Sequence, residues 1–180
     1  METIALFGGS FDPPHIGHIG IVTQLLTIKD IDKVVVMPTY LNPFKSGYHA
    51  PAELRLQWLK SIFASSKRVD ISSFEVDLQR SVPTIESVKY LLTQYKKIYL
   101  VIGADNLNTL CKWANYNELE TLVTFIVATR DGIEIPNNFL KLELNEDISS
   151  TVLRKNIDIQ KIPKISSKEI IKFYKEKNEK

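Results

Sequence analysis

Short β-branched and aliphatic runs alternate along this chain with longer amphipathic stretches, and that alternation constrains the fold more than any other feature. Residues 3–7 (TIALF), 33–37 (KVVVM), 69–72 (VDIS), 98–102 (IYLVI) and 122–128 (LVTFIVA) read as strands, largely apolar as strands covered on both faces are. Residues 16–28, 51–65, 85–95 and 115–121 carry the helical period between them, and 151–156 and 167–175 predict two further helices. Strands and helices in turn predict a doubly wound, Rossmann-like α/β fold with a parallel sheet, in which ligands sit beyond the carboxyl ends of the strands. At 180 residues one domain is expected, with a helical C-terminal segment from about residue 149. Residues 131–147 carry the weakest pattern, where Pro136, Asn137 and Asn138 predict a turn before a short apolar segment.

Composition narrows the function. The net charge of +2 comes from 23 basic and 21 acidic residues, too even a balance to predict a nucleic-acid partner, so any anion site is local. No apolar stretch is long enough to span a bilayer, and the N-terminal run from Ile4 to Phe7 lacks both the length and the basic leader of a signal peptide. With Cys111 as the one cysteine, the expected setting is the cytoplasm. Lys168, Lys172 and Lys175 near the end predict a solvated helix face.

The first informative segment is GGSFDPPHIGH, residues 8–18, lying between a predicted strand and a predicted helix. Paired glycines let backbone approach a ligand, and the free N–H groups of a helix start favour an anion. The segment fits neither GxGxxG nor the Walker pattern. It carries instead His15 and His18, whose spacing can place both imidazoles on one face beside the glycines, where both can donate to one phosphoryl group. Two other readings stand beside this one: a zinc site drawing on His49 and Asp12, and a helix start with satisfied surface histidines.

A second segment, DISSTVLRKNI at residues 147–157, places hydroxyl residues before a helical pattern, as N-caps are placed. Arg154 follows Ser150 by four and Thr151 by three, so its guanidinium can share a helix face with both hydroxyls and grip phosphate through its planar fork. A capped surface helix with a solvated arginine is the alternative.

Together these segments resemble the nucleotidyltransferases with an HxGH signature, and within them the bacterial nicotinate-nucleotide adenylyltransferases. GSFDPPHIGH is similar to the family's first motif and ISSTVLR to its last. IGADNL (residues 102–107), Trp113 and ATRDG (residues 128–132) resemble the signatures between. The resemblance implies a nucleotidyltransferase fold and adenylyl transfer from ATP to nicotinate mononucleotide, giving nicotinate adenine dinucleotide (deamido-NAD) and pyrophosphate in NAD biosynthesis. It implies that His15 and His18 contact the α-phosphate, that Ser150, Thr151 and Arg154 hold the outer phosphates, and that Lys45 neutralises phosphate charge. Gly8, Gly9, Ser10 and Phe11 would line the phosphate path, Gly103 and Asp105 would meet the adenosine side, and Thr84 and Trp113 would meet the nicotinate ring. Attack by an ionised phosphate oxygen needs no serine nucleophile and no general base, so positioned donors are most of the catalysis required.

Two positions depart from the family pattern. Phe44 stands where a histidine is common, and Pro83 where a tyrosine precedes the threonine, removing a backbone donor near the expected nicotinate site. Mg2+ is expected to arrive with ATP, and no carboxylate cage for it is evident. The same chemistry on nicotinamide mononucleotide or phosphopantetheine, and nucleotide binding without turnover, are the remaining alternatives.

Overall fold

The computed structural model of the protein describes residues 1–130, 132–144 and 148–178; Asp131 of the ATRDG run and Asp147 at the head of the second motif lie outside them. In chain order come β1 (Thr3–Gly9), α1 (Ile16–Leu25), β2 (Lys33–Pro38), α2 (Ala52–Phe63), β3 (Val69–Ile71), α3 (Phe74–Asp77), α4 (Thr84–Leu92) and β4 (Lys97–Gly103). A 3₁₀ helix (Ala104–Lys112) follows, then α5 (Tyr116–Leu122), β5 (Thr124–Ala128), β6 (Leu140–Leu142), α6 (Ser150–Lys155) and α7 (Ser167–Asn178). Among the described residues six strands form one sheet in the order β3-β2-β1-β4-β5-β6, with each adjacent pair parallel. The doubly wound fold expected from the alternation is therefore present. Leu122 ends α5 rather than opening β5, and β6 adds a strand within the weakly patterned region.

Alternation along each strand divides the core in two. Ala5, Phe7, Val34, Val36 and Val101 pack on one face against Val22 and Leu25 of α1 and Leu59 and Ile62 of α2. Ile4, Leu6, Val35, Ile98 and Leu100 pack on the other against Val88 and Leu91 of α4 and Leu119 of α5. Burial of such a side chain stabilises by roughly 1.5–3 kcal/mol, so these strands read as unbroken apolar runs because both faces are covered. A third cluster joins the C-terminal helices to the rest: Leu153, Ile162, Ile170 and Tyr174 meet Trp58 of α2. Among the described residues no helix is long and apolar enough to cross a membrane.

From β1 the chain winds toward β2 and β3, whereas from β4 it winds the other way. The carboxyl ends of β1 and β4, at Gly9 and Gly103, thus flank the point where a crevice opens.

Candidate active site

The crevice has two connected parts. A cleft of about 560 Å³ runs past His15, His18 and the start of α6, and a narrower cavity of about 240 Å³ lies behind it between β4 and the start of α4. Gly9, Asn42, Phe44, Gly103 and Asn106 line both, so the two meet at the strand ends.

Gly8 and Gly9 lie inside β1, paired with Met37 and Pro38, and the chain turns at residues 10–14. There Phe11 takes a φ of 49°, which is sterically unfavourable for a bulky residue. Its ring is held edge-on to Phe7 and His18, at centroid distances of 5.3 and 4.8 Å. A Cβ on Gly9 would stand 3.2 Å from that ring, a tight contact that glycine avoids.

His15 caps α1 and His18 sits in its first turn. The His15 backbone N–H donates to Nδ1 of His18 at 3.1 Å, which leaves the proton of a neutral His18 on Nε2. The two imidazoles stack, centroids 3.6 Å apart and planes 21° from parallel. Burial takes the His15 imidazole down to about 4, and the Arg130 guanidinium adds to the effect. Burial, and His15 beside it, push His18 well below its ordinary value as well. At neutral pH both rings are uncharged donors rather than cations. Gly17 has a local reason: a Cβ there would come within 3.0 Å of His15 Nδ1, so glycine lets the ring lie over the helix start.

Across the cleft, Ser149 caps α6, one residue before the hydroxyls of Ser150 and Thr151. Ser150 Oγ donates to the Pro13 carbonyl at 2.9 Å and so docks α6 on the turn after β1. Arg154 donates to Thr151 Oγ1 at 3.1 Å and to the Asp12 carbonyl. The face sharing expected for residues 150, 151 and 154 is therefore present, and all three line the cleft with Ser10 and the exposed Lys45.

Asp12 and Arg55 hold this side together. The buried Asp12 carboxylate accepts from the His49 amide at 2.7 Å, the Ala50 amide at 3.0 Å and the Tyr174 hydroxyl. Burial alone would raise its pKa, but these donors and Arg154 outweigh it and hold the group ionised below its usual range. That commitment removes Asp12 from the zinc reading, and among the described residues no cluster of three His, Cys, Asp or Glu could hold a metal. Arg55, 1% exposed, donates to the carbonyls of Ser10, Tyr40 and Ala50 at 2.5, 3.0 and 2.9 Å. One side chain thereby ties two loops together, the one after β1 at Ser10 and the one after β2 at Tyr40 and Ala50. The sequence held a signal for it: Arg55, Trp58, Leu59 and Ile62 fall on one helical stripe and all are buried.

On the far side of the cleft Asp105 pairs with Arg130 at 3.0 Å. It does not cap the helix after Gly103; Asn106 Nδ2 reaches the Gly103 carbonyl instead, at 3.2 Å. A Cβ on Gly103 would stand 2.5 Å from Asp105 Oδ1, so glycine is what admits the carboxylate here. Arg130, part of the ATRDG run but not singled out from sequence, joins the cleft wall.

The narrower cavity holds Gly8, Thr84, Pro83 and Trp113. Pro83 caps α4 and Thr84 is its first residue. The exposed Phe44 leans toward Trp113, with centroids 6.5 Å apart. Glu75, which nothing in the sequence marked, is 5% exposed and lines the same cavity.

Comparison with known proteins gives the relation. The cytidylyltransferase-like family model matches residues 6–156. A Sulfurimonas denitrificans protein called "Probable nicotinate-nucleotide adenylyltransferase" is 61% identical over 178 residues, covering 99% of this chain and 98% of that protein. A Campylobacter fetus protein of the same name is 48% identical over 177 residues, covering 97% and 98%. In fold, Plasmodium falciparum nicotinic acid mononucleotide adenylyltransferase complexed with NaAD matches with a TM-score of 0.79 at 20% identity, over 97% of this chain and 98% of that one. On these matches the chain belongs to the cytidylyltransferase-like family and, within it, to the nicotinate-nucleotide adenylyltransferases.

Proposed function

We propose that this protein transfers the adenylyl group of ATP to nicotinate mononucleotide, releasing pyrophosphate and forming nicotinate adenine dinucleotide for NAD biosynthesis. The observation that carries the reading is the meeting of a donor-lined cleft and an aromatic-walled cavity at the carboxyl ends of β1 and β4. The close relatives share the name of that activity.

In this reading the phosphate oxygen of the mononucleotide attacks the α-phosphorus of ATP, and the bond to the bridging oxygen breaks with pyrophosphate as leaving group. The nucleophile is already ionised, so no proton has to be removed. Charge builds on the α-phosphoryl oxygens, where neutral His15 and His18 each offer a fixed N–H without a hydration shell to reorganise. Arg154, Lys45, Ser150 and Thr151 hold the outer phosphates, with the Gly8, Gly9, Ser10 and Phe11 backbone along their path. Asp105 accepts from ribose hydroxyls beside Gly103. The nicotinate ring stacks near Trp113, with Phe44 at the rim, and its carboxylate faces the first turn of α4 at Thr84, where helix N–H groups lack intrahelical acceptors. Mg2+ bound with ATP would neutralise charge on the departing pyrophosphate. Among the described residues, Asp12 and Asp105 beside the cleft are engaged by amides and by Arg130, which suits an ion held by phosphates and water rather than by a protein cage. ATP as substrate and the free Cys111 thiol suit the cytoplasm.

The test is pyrophosphate release with MgATP and, at equal concentrations, nicotinate mononucleotide, nicotinamide mononucleotide or phosphopantetheine. Preference for the first is expected. Preference for another overturns the substrate, and no release with any overturns the chemistry.

A further inference from the structure

Glu75 is the anomaly of the narrower cavity. It is the one titratable side chain among the described residues that line it, and the surrounding wall is built from groups such as Leu6, Leu100, Val82, Pro83 and Trp113. One carboxyl oxygen is accounted for, since Ser87 Oγ of α4 donates to Oε1 at 2.7 Å inside the protein. The other, Oε2, is buried without a hydrogen-bond partner. An unpaired buried carboxyl oxygen destabilises by roughly 1–3 kcal/mol or more, and Oε2 keeps hydrogen-bonding capacity that the protein itself does not use.

The proposed occupant of the cavity brings one. A pyridine ring with a 3-carboxylate presents an acceptor, whereas the 3-carboxamide presents both a donor and an acceptor. Resting on the reading of this cavity as the nicotinate site, we propose that Glu75 is a specificity-determining residue that meets the substrate as a neutral acid and donates from Oε2 to the nicotinate carboxylate. Once ionised, the same oxygen repels that carboxylate and accepts from the amide of nicotinamide instead, so the protonation of Glu75 sets the preference between acid and amide.

The surroundings suit that role. Burial pushes the Glu75 carboxyl up to about 7, the Ser87 hydroxyl opposes the rise, and the charge on Glu86 adds to it. Glu86 is itself paired with Arg80 at the surface. Asp77, on the same turn as Glu75, accepts from Ser73, and Tyr90 of α4 borders the turn by stacking on Phe74 at 3.9 Å. No cation among these is placed to hold Glu75 ionised. A hydrogen bond from a carboxylic acid to a carboxylate is charge-assisted and short, about twice as strong as a neutral one.

The experiment measures kcat/KM for nicotinate and nicotinamide mononucleotides from pH 6 to 8.5, and takes their ratio at each pH. Both substrates carry the same ribose phosphate and both use MgATP, so titration of those groups cancels. With a group near 7 in the free enzyme, the ratio in the wild type should fall at least about tenfold between pH 6 and pH 8. Glu75→Gln keeps an acceptor for Ser87 and a permanent donor for the substrate, and its ratio should be flat with pH. Ser87→Ala removes the bond that lowers the group, and its transition should move to higher pH. A wild-type ratio that does not change, or a Glu75→Gln ratio that keeps the wild-type slope, overturns the proposal. A purely structural Glu75 would lower both activities together and leave the slope in place. Absence of turnover with either substrate in the wild type removes the proposed function, and this inference with it.

Discussion

Replacing Arg55 by methionine should release the side of the cleft proposed to hold the phosphates. The guanidinium satisfies three loop carbonyls, those of Ser10, Tyr40 and Ala50, from a position 1% exposed to solvent. Methionine keeps much of the packed stem but offers no donor. Each carbonyl left unpaired away from water destabilises by roughly 1–3 kcal/mol. Relief from burying a charge offsets part of that sum. A net loss of about 3 kcal/mol is expected, a large share of the roughly 5–15 kcal/mol that holds a domain folded. Urea unfolding should show the midpoint lowered by about 1 M or more. Kinetics should show a raised KM for ATP, because Ala50 presents an amide to Asp12 and Ser10 lies in the turn beside it. Arg68 is the control: it also donates to three carbonyls, of Asp32, Leu26 and Ile31, but from an exposed position at the opposite end of the strands. Arg68→Met should lose much less stability, since two of its three bonds are exposed, and should leave KM unchanged. If Arg55→Met and Arg68→Met lower the midpoint equally, with no change in KM for either, the reasoning is wrong.

Two further outcomes follow from the histidine pair. Gly17→Ala would ordinarily stabilise a helix by about 1 kcal/mol, but here its Cβ presses on His15 at 3.0 Å; turnover should fall while the thermal midpoint holds or rises, and unchanged turnover would show that the ring position is not critical. His15 titrates from 6.5 in the unfolded chain to about 4 when folded, so between those values the unfolded chain binds more protons. The stability from keeping His15 neutral is complete above about 6.5 and is lost as pH falls toward 4, by about 3 kcal/mol, with His18 acting in the same direction. Unfolding free energies at pH 7, 5.5 and 4 should show a shallower decline in His15→Asn than in the wild type.

What sequence made legible was whatever is local. The central strands and the helices between them follow from runs and periods within a dozen residues, and His15 with His18 from a spacing of three. β6 escaped because three residues, two of them exposed, carry no period. The 3₁₀ helix Ala104–Lys112 escaped because ADNLNTLCK mixes turn formers with isolated leucines. The supports of the site were hidden for a different reason. Asp12 meets Tyr174 across 162 residues and Arg55 meets Ser10 across 45, and neither pairing leaves a mark near either partner. Glu75 lies in a single helical turn, and only the cavity beside it gives it meaning.

In the proposed reaction a stacked, neutral pair of imidazoles stabilises charge as it develops on the transferring phosphoryl group. Single-turnover rates with MgATP and nicotinate mononucleotide, beside the Kd for ATP measured separately, test it in wild type and His18→Ala. The account predicts a rate lowered about 10²–10³-fold with Kd for ATP within about threefold of wild type, as expected for a donor that acts mainly in the transition state. An unchanged rate, or a loss that falls wholly in Kd, would contradict it.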